Sequence, residues 1–352
     1  MGDWHVERGL VLVFPTCPKK GDQIHTLKGI FFFAFLELFS MLNVSQSESN
    51  MTSAIQKQNL LRIALISTLS TVPSVIFLYI NGTILFTLRS KPVFRDTCRY
   101  VLLYNLLLAD TVQLAQSQVQ FLLSVCRVKL VYSLCIVLSM LANLTTGISP
   151  LTLVVMPLER YVAVCFPLRH ASIITIKNTA VAIIATWTVS SLNNVTRNLF
   201  LLEFENLGSV MMKDFCSDVA WFPNSLCEYY DKVYTAFVFI SAGLTVIFSY
   251  AGVVIAANSA STDKASALKA RKTLLLHIIQ LGLSLSYTIY YPLLIALAGS
   301  VKRVVFVWVQ RVFYVFIIIL PRCLTSLIYG LRDKTIRPVL LQHLCCKRKS
   351  LI

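Results

Sequence analysis

The sequence predicts an all-α membrane protein, a bundle of seven transmembrane helices. Of its 352 residues, 56% are hydrophobic and only 14% are charged, whereas a soluble domain carries about 25% charged residues. Apolar runs of at least about 18 residues, each long enough to cross about 30 Å of hydrocarbon, recur along the chain. A surface with so few charges cannot face water throughout, and we therefore expect most of it to face lipid.

Seven runs qualify as membrane spans. They are Leu60–Leu88, Tyr100–Val125, Leu130–Leu158, Thr179–Leu202, Val233–Ala257, Thr273–Ala298 and Val304–Tyr329. Each span must satisfy its backbone hydrogen bonds within itself, and without an alternating barrel pattern this requires a helix. The chain is thereby divided into an N-terminal segment, 1–59, a seven-helix domain, 60–330, and a tail, 331–352. Alternating basic and apolar residues over Leu331–Leu344 predict a short amphipathic helix at the membrane surface.

Charge distinguishes the two sides of the membrane. The first, third and fifth connections and the tail are basic, with Arg89, Lys91, Arg95, Arg99, Arg169, Lys177, Lys264, Lys269, Arg271, Lys272, Lys347, Arg348 and Lys349. The connection between the fourth and fifth spans is instead rich in Asp and Glu. Basic residues mark the cytoplasmic side, so the N-terminus is predicted outside and the tail inside. The net charge of +16 is then a topology signal and does not indicate a nucleic-acid partner.

The first forty residues do not supply an eighth span. The apolar run Gly29–Leu42 is too short, and the lysines before it give the shape of a signal peptide. Met41, or alternatively Met51, is the predicted working start, with residues 1–40 an extension or a removed signal. Asn43 and Asn50 each begin an Asn-x-Ser/Thr sequon and are predicted glycosylation sites in the extracellular opening.

A motif at the end of the third span points to a family. Residues 156–170 read Met-Pro-Leu-Glu-Arg-Tyr-Val-Ala-Val-Cys-Phe-Pro-Leu-Arg-His. The triplet Glu159-Arg160-Tyr161, followed by Pro-Leu-Arg, resembles the cytoplasmic end of the third helix in rhodopsin-like (class A) G-protein-coupled receptors. The longer form, with its initial Met and final Cys-x-Pro-Leu-Arg-His, resembles their odorant-receptor branch and its fish members in particular. The resemblance spreads from about Asn43 to Cys346.

This resemblance implies a multi-pass receptor of the plasma membrane whose partners are a small-molecule odorant, a heterotrimeric G protein of the stimulatory, olfactory type, and membrane lipid. No Gly-x-Ser-x-Gly elbow, Cys-x-x-Cys pair or histidine cluster is present in the sequence, so we predict no enzyme, cofactor or metal site. The alternatives are a non-olfactory receptor of the same class, or a transporter or channel. The last would need paired charges along a pathway.

The resemblance also assigns a G-protein switch. Arg160 is implied to be held by Glu159 at rest and to face the G protein after activation, with Tyr161, Tyr250 and Tyr329 completing the set. The alternative is a polar helix end that merely reaches the interface. In the seventh span, Thr325-Ser326 replace the usual Asn-Pro of the family.

Cysteines carry two further expectations. Cys135, 25 residues before Arg160, matches one half of the family's disulfide, and Cys216 is the preferred partner with Cys227 as the competitor. Such a bridge suits the oxidising exterior. Cys345 and Cys346 lie beside a basic cluster and are palmitoylation candidates.

Four residues are predicted to form an intramembrane polar core. Asp110 lies in the middle of a span, where an ionisable residue is costly and is functional by default. Asn81 lies at the matching depth, and Ser149 lines the same cavity. Arg322 is predicted to pair with Asp110, leaving no room for the sodium ion that the family places beside its Asp. In the alternative, Asn81 bonds Asp110 and Arg322 faces a water-filled cavity.

The ligand is expected to be neutral or zwitterionic. Aminergic receptors need an acid in the outer third span, but the matching stretch reads Ala142-Asn143-Leu144. Asn143, Thr146 and Tyr290 are the ligand candidates, in a pocket with apolar walls and few polar groups. An ordinary core tyrosine is the alternative for Tyr290.

Overall fold

The computed structural model describes residues 52–126, 128, 130–202, 225–259, 275, 278–283, 285–286, 290, 293–294, 297, 300–301, 303–333, 335–338 and 340. The chain divides into two compact units, Met1–Leu61 and Arg62–Ile352. Of the first unit, only residues 52–61 are described, and they begin the first helix. The described part of the second unit is helical apart from short connections.

Seven helices correspond to the predicted spans. The first five are α1 (Thr52–Ser90), α2 (Cys98–Val125), α3 (Tyr132–Cys165), α4 (Ile176–Leu202) and α5 (Ser225–Ser259). We call α6 the described helical positions within 275–297. The seventh, α7, consists of Arg303–Phe313, a π-helical turn at Tyr314–Ile319, and Leu320–Arg332. Short helices at Pro92–Arg95, Pro167–Arg169 and His170–Ile173 lie in the connections.

The helices extend beyond the predicted spans. The prediction that the third span ends at Leu158 is wrong for the helix, since α3 continues to Cys165 and carries Glu159, Arg160 and Tyr161. It stops before Pro167, which disfavours the helical conformation for the residue preceding it, and Phe166 has φ −130° and ψ 57°. Hydropathy detects the membrane-spanning part of a helix, whereas the helix itself continues into polar surroundings.

The helix of the tail begins later than predicted. The chain leaves the helical conformation at Asp333, with φ −69° and ψ 120°, so a helix starting at Leu331 is wrong by a few residues. The Asp333 carboxylate accepts hydrogen bonds from the N–H groups of Thr335 at 2.8 Å and Ile336 at 3.3 Å. These are the free donors at the start of a helix, which an Asp satisfies well.

Length and apolar composition alone identify three membrane-crossing segments in the described helices, Ser70–Ser90, Ser133–Cys165 and Tyr229–Ala256. Pro167–Ile173 and Ile176–Leu199, bent by 64°, make a fourth if they are counted as one. The helix α2 is absent from this set because its second half carries many polar residues. Those side chains face the interior of the bundle, at Asp110, Gln113, Gln116, Ser117 and Gln118.

The outside of the bundle is apolar. Large side chains exposed on α1, α4 and α5 include Val75, Phe86, Val181, Ile184, Leu192, Phe237, Ile240, Ile247 and Phe248. In water such a surface would be an aggregation site. On a helix that crosses a bilayer it is the surface that contacts lipid.

The helix α3 packs against α2, α4 and α5, and two glycines permit its closest approaches. A Cβ added at Gly147 of α3 would overlap the Ser190 side chain of α4. A Cβ added at Gly252 of α5 would lie 2.8 Å from Cδ2 of Tyr161 and closer still to Cε2. Small residues at such contacts let helix backbones approach closely within a membrane.

We predict that Gly252→Ala destabilises the bundle by about 1–3 kcal/mol, the usual cost of overpacking, because the Tyr161 ring must move. Gly243→Ala, on the same helix with nothing within 4 Å of the new Cβ, is the matched control and should be neutral or slightly stabilising. Thermal unfolding of the two purified variants makes the comparison. Equal melting temperatures would contradict the close contact.

Candidate functional site

A buried ion pair joins α2 to α7. The Nε atom of Arg322 lies 3.5 Å from Oδ1 of Asp110, and the two residues are 2% and 1% exposed. The Ser149 hydroxyl of α3 donates to the same Oδ1 at 2.7 Å. Three of the predicted polar-core residues are therefore in direct contact, and together they connect α2, α3 and α7.

Gln113 extends this contact. Arg322 Nη2 donates to Oε1 of Gln113 at 3.2 Å, and Nε2 of Gln113 in turn donates to Oγ1 of Thr146 on α3. Gln113 was not among the predicted polar-core residues, although its position three residues after Asp110 places both on one face of α2. The guanidinium thus contacts two oxygens of α2, one from Asp110 and one from Gln113. Through the Gln113 amide it is linked to Thr146, a predicted ligand residue.

The π-helical turn of α7 immediately precedes Arg322. The N–H of Leu320 donates to the carbonyl of Val315, five residues back instead of four, and Pro321 follows without an N–H of its own. One extra residue in a turn rotates all later side chains relative to earlier ones. The turn therefore helps to set which face of α7, with Arg322, is directed at α2.

Asn81 does not share in this contact. Its side chain is fully buried, yet neither amide atom has a hydrogen-bond partner among the described residues. The alternative in which Asn81 bonds Asp110 is therefore not the one observed.

A further hydrogen bond joins α6 to α7 at the position where the family usually has Asn-Pro. Nε2 of Gln280 on α6 donates to Oγ1 of Thr325 on α7 at 2.7 Å.

The predicted switch lies at the end of α3 that we call the Arg160 end. Arg160 Nε is 3.2 Å from Oε2 of Glu159, and Oε1 of the same carboxylate lies 4.0 Å from Nε2 of His170. His170 was not singled out as part of the switch by sequence. Tyr329 of α7 is buried and its hydroxyl donates to Sδ of Met156 at 3.8 Å. Tyr250 is half-buried.

An exposed apolar patch adjoins the switch. It consists of Phe166, Leu168 and Ile173, which are 45%, 100% and 41% exposed. Leu168 is part of the short Pro167–Arg169 helix that follows α3. These side chains belong to a connection beyond the end of α3, so they are not explained by contact with lipid along a span.

A second polar contact at this end involves the helix cap described above. The Asp333 carboxylate also lies 3.3 Å from Arg99 Nη2 and accepts a bond from the Tyr100 hydroxyl at 3.4 Å. Arg99 and Tyr100 are at the start of α2. The cap therefore fixes the tail to α2 as well as starting its helix.

The ligand candidates have different surroundings. Thr146 is buried and bonded to Gln113, whereas Asn143 is half-buried. Tyr290 is 5% exposed and belongs to an apolar cluster with Leu294 and Ile318, as an ordinary core tyrosine would be. The structure thus connects Thr146 to the polar core through Gln113.

Cys135 is disulfide-bonded and completely buried, at the opposite end of α3 from the switch. Its partner is not among the side chains that the structure describes. Cys216, Asn43, Asn50, Cys345 and Cys346 lie outside the described residues, as does the side chain of Cys227. Four cysteines are free thiols: Cys98, Cys126, Cys165 and Cys323.

In the described part of the chain, no three His, Cys, Asp or Glu residues could hold a metal together.

Comparison with known proteins identifies the family. The profile described as 7 transmembrane receptor (rhodopsin family) matches residues 80–331. The matched part contains the Glu159–Arg160 pair, the Asp110–Arg322 pair and most of the seven helices. The chain belongs to the rhodopsin family of seven-transmembrane receptors.

Several curated proteins resemble the receptor over much of its length. Odorant receptor 131-2 of Danio rerio is 33% identical over 274 residues, 77% of this chain and 83% of that protein. Olfactory receptor 4K15 of Homo sapiens is 24% identical over 218 residues, 58% of this chain and 62% of its own length. Olfactory receptor 1468 of Rattus norvegicus is 24% identical over 206 residues, with shares of 56% and 62%.

The predicted fold class is thereby confirmed. The receptor is a multi-pass protein of the plasma membrane with a seven-helix bundle. Its family is one of receptors and not of enzymes, transporters or channels.

We expect the partner of Cys135 to be Cys216. Cys135→Ser and Cys216→Ser then remove the same bond, and both should lower the density of receptor at the cell surface to a similar extent. Cys126→Ser, which changes an exposed free thiol, should not. Peptide mapping under non-reducing conditions identifies the bridge directly, and a peptide joining Cys135 to Cys227 would contradict the assignment.

Proposed function

We propose that this receptor is an odorant receptor. A small molecule binds in the half of the bundle toward Cys135, and the Arg160 end then catalyses nucleotide exchange on a heterotrimeric G protein. Three relatives whose names describe them as odorant or olfactory receptors support the ligand class. The observation that carries the G-protein assignment is the Glu159–Arg160 ion pair beside an exposed apolar patch.

The Arg160 end is proposed to face the cytoplasm. The connections on that side of the chain hold Arg89, Lys91 and Arg95, and Arg169 and Lys177. The connection between α4 and α5, on the side of Cys135, is instead acidic. It holds Glu203, Glu205, Asp214 and Asp218 against one basic residue, Lys213. Basic residues are retained on the cytoplasmic side of a membrane, so this distribution supports an extracellular ligand site and a cytoplasmic G-protein site.

The proposed ligand is neutral or zwitterionic. The α3 stretch Ala142-Asn143-Leu144 offers no carboxylate to hold a cationic ligand. Asp110 is already engaged by Arg322 and Ser149 and is therefore not such a carboxylate either. Thr146 and Gln113 supply hydrogen-bonding groups at the buried side of the site, which suits a small ligand with one or two polar atoms in an apolar pocket.

The Glu159–Arg160 pair has the strength that a switch requires. The two side chains are 9% and 23% exposed, so water screens the pair in part. Even about 1 kcal/mol, the upper value for a fully exposed ion pair, corresponds to about a fivefold change in a two-state population. Loss of the pair should therefore shift the resting equilibrium several-fold without unfolding the receptor.

We predict that Arg160→Ala abolishes G-protein signalling while the receptor still reaches the surface, because the residue that is proposed to contact the G protein is gone. Glu159→Gln should instead raise basal signalling several-fold, since it releases Arg160. Cyclic AMP in cells expressing equal surface densities of each variant, with and without the stimulatory G protein, measures both effects. The exposed Arg95→Ala is the control for loss of one positive charge. Normal signalling by Arg160→Ala would refute the mechanism.

The apolar patch gives a second prediction for the same surface. Leu168→Ala should reduce G-protein activation several-fold with little change in stability, because this side chain is fully exposed and contributes nothing to the core. Val93→Ala removes another exposed apolar side chain, 67% exposed in the Pro92–Arg95 helix, and serves as the control. Nucleotide exchange on membranes containing each variant reports the effect. Equal rates for Leu168→Ala and the unmodified receptor would exclude this patch from the interface.

A further inference from the structure

Asp110 already has a cation beside it. The family places a sodium ion at this acid, and the residues present can be tested for their fit to such an ion. The Oδ1 oxygen of Asp110 accepts the Ser149 hydroxyl at 2.7 Å and lies 3.5 Å from Arg322 Nε, while Oδ2 is buried without a hydrogen bond among the described residues. We infer that Arg322 is a built-in counter-ion that replaces sodium, and that the core of this receptor does not bind a sodium ion.

Charge balance supports the inference. Asp110 and Arg322 together carry no net charge, and both are almost completely buried. A sodium ion entering the same cavity would leave one uncompensated positive charge away from water, which is costly in a low-dielectric interior. The side chain of an arginine stays protonated at any physiological pH, so it cannot become neutral to admit the ion. The residues present do not fit a sodium site.

Gln113 fixes the guanidinium in place. Arg322 reaches Asp110 through Nε and Gln113 through Nη2, so it binds two oxygens one turn apart on the same face of α2. A side chain held at two points is less free to swing away and uncover the carboxylate. The other end of the Gln113 amide is bonded to Thr146, so α2, α3 and α7 all contribute to holding the counter-ion.

A counter-ion that belongs to the chain makes the resting state independent of the external sodium concentration. Sodium can leave a receptor core, and its external concentration then influences the resting state. A guanidinium attached to α7 cannot leave, so the acid keeps its partner at any salt concentration. The inference concerns only the receptor core, and it can be correct or wrong independently of which ligand the receptor binds.

The first test compares sodium with choline chloride at equal ionic strength, using purified receptor and its melting temperature. The unmodified receptor should melt at the same temperature in both salts. Arg322→Ser removes the guanidinium, and this variant should melt at a lower temperature in choline chloride and recover part of the loss in sodium chloride. Stabilisation of the unmodified receptor by sodium that disappears in Asp110→Asn would overturn the inference. Failure of Arg322→Ser to gain sodium dependence would equally overturn it.

The second test needs only surface density in cells, and it covers the case in which Arg322→Ser cannot be purified. Asp110→Asn and Arg322→Gln each strand a buried charge and should each lower surface density. The double neutral variant should recover part of that loss, because no charge is left unpaired. Strictly additive losses would show that the two residues do not form a pair.

A third test moves the negative charge from position 110 to position 113. In Asp110→Asn/Gln113→Glu the new carboxylate takes the position that Arg322 Nη2 already reaches at 3.2 Å, and surface density should rise above that of Asp110→Asn. The matched control is Asp110→Asn/Gln116→Glu. Gln116 lies one turn farther along α2 and donates to the carbonyl of Leu138, so its replacement should restore nothing. Recovery in both double variants, or in neither, would contradict a counter-ion held by Asp110 and Gln113.

Discussion

The pairing of Asp110 with Arg322 is the constraint on which the middle of the bundle depends. Removing one partner of a buried ion pair costs about 3–5 kcal/mol, a large part of the roughly 5–15 kcal/mol that stabilises a typical protein. The contact spans α2 and α7, which are far apart in sequence, and Ser149 adds α3. Only a narrow set of heights and rotations of these helices keeps all three atoms in contact. The π-helical turn at Tyr314–Ile319 contributes to the required rotation, because it sets the face of α7 on which Arg322 lies.

The same constraint explains the division of the interior into two parts. Toward the Arg160 end the core is largely apolar, with Leu103, Leu107, Leu153 and Val246 in one cluster and a bonded pair of polar side chains, Asn105 and Thr152, beside it. In the middle it is polar, and hydrogen bonds link α2, α3, α6 and α7 through Gln113 and Thr325. Buried polar groups are favourable only when they are bonded, so neighbours of an ion pair tend to be polar as well. The low hydropathy of α2 is thus a consequence of what it carries inward.

The sequence predicted the pairing of Asp110 with Arg322 across two helices, but it did not predict contacts that depend on irregular backbone or on a partner without a local signal. The location of Asp110 and Arg322 on interior faces follows from position within a single helix. The contact of Glu159 with Arg160 was expected from the family resemblance, since adjacent residues do not otherwise face each other on a helix. Gln113 was overlooked because its role depends on where Arg322 ends, which the irregular turn in α7 sets. His170 meets Glu159 only because Pro167 ends α3 and folds the chain back. The late start of the tail helix reflects a contact of Asp333 with Arg99, which lies on another helix and has no local signal.

The two ion pairs differ in burial and in position, since Glu159 and Arg160 are neighbours near the end of α3 and are 9% and 23% exposed, whereas Asp110 and Arg322 join two helices and are 1% and 2% exposed. A ligand shifts an equilibrium only by its difference in affinity for the two states. Even a micromolar ligand binds with only about 8.2 kcal/mol in total, and a fraction of this is available as that difference. Such a fraction is more readily sufficient for a pair that water reaches in part than for one that is almost completely buried, because neither buried charge regains water when the pair separates. The Glu159–Arg160 contact is therefore the one of the two that ligand binding separates more readily, whereas the Asp110–Arg322 contact joins α2 to α7 in the buried middle of the bundle.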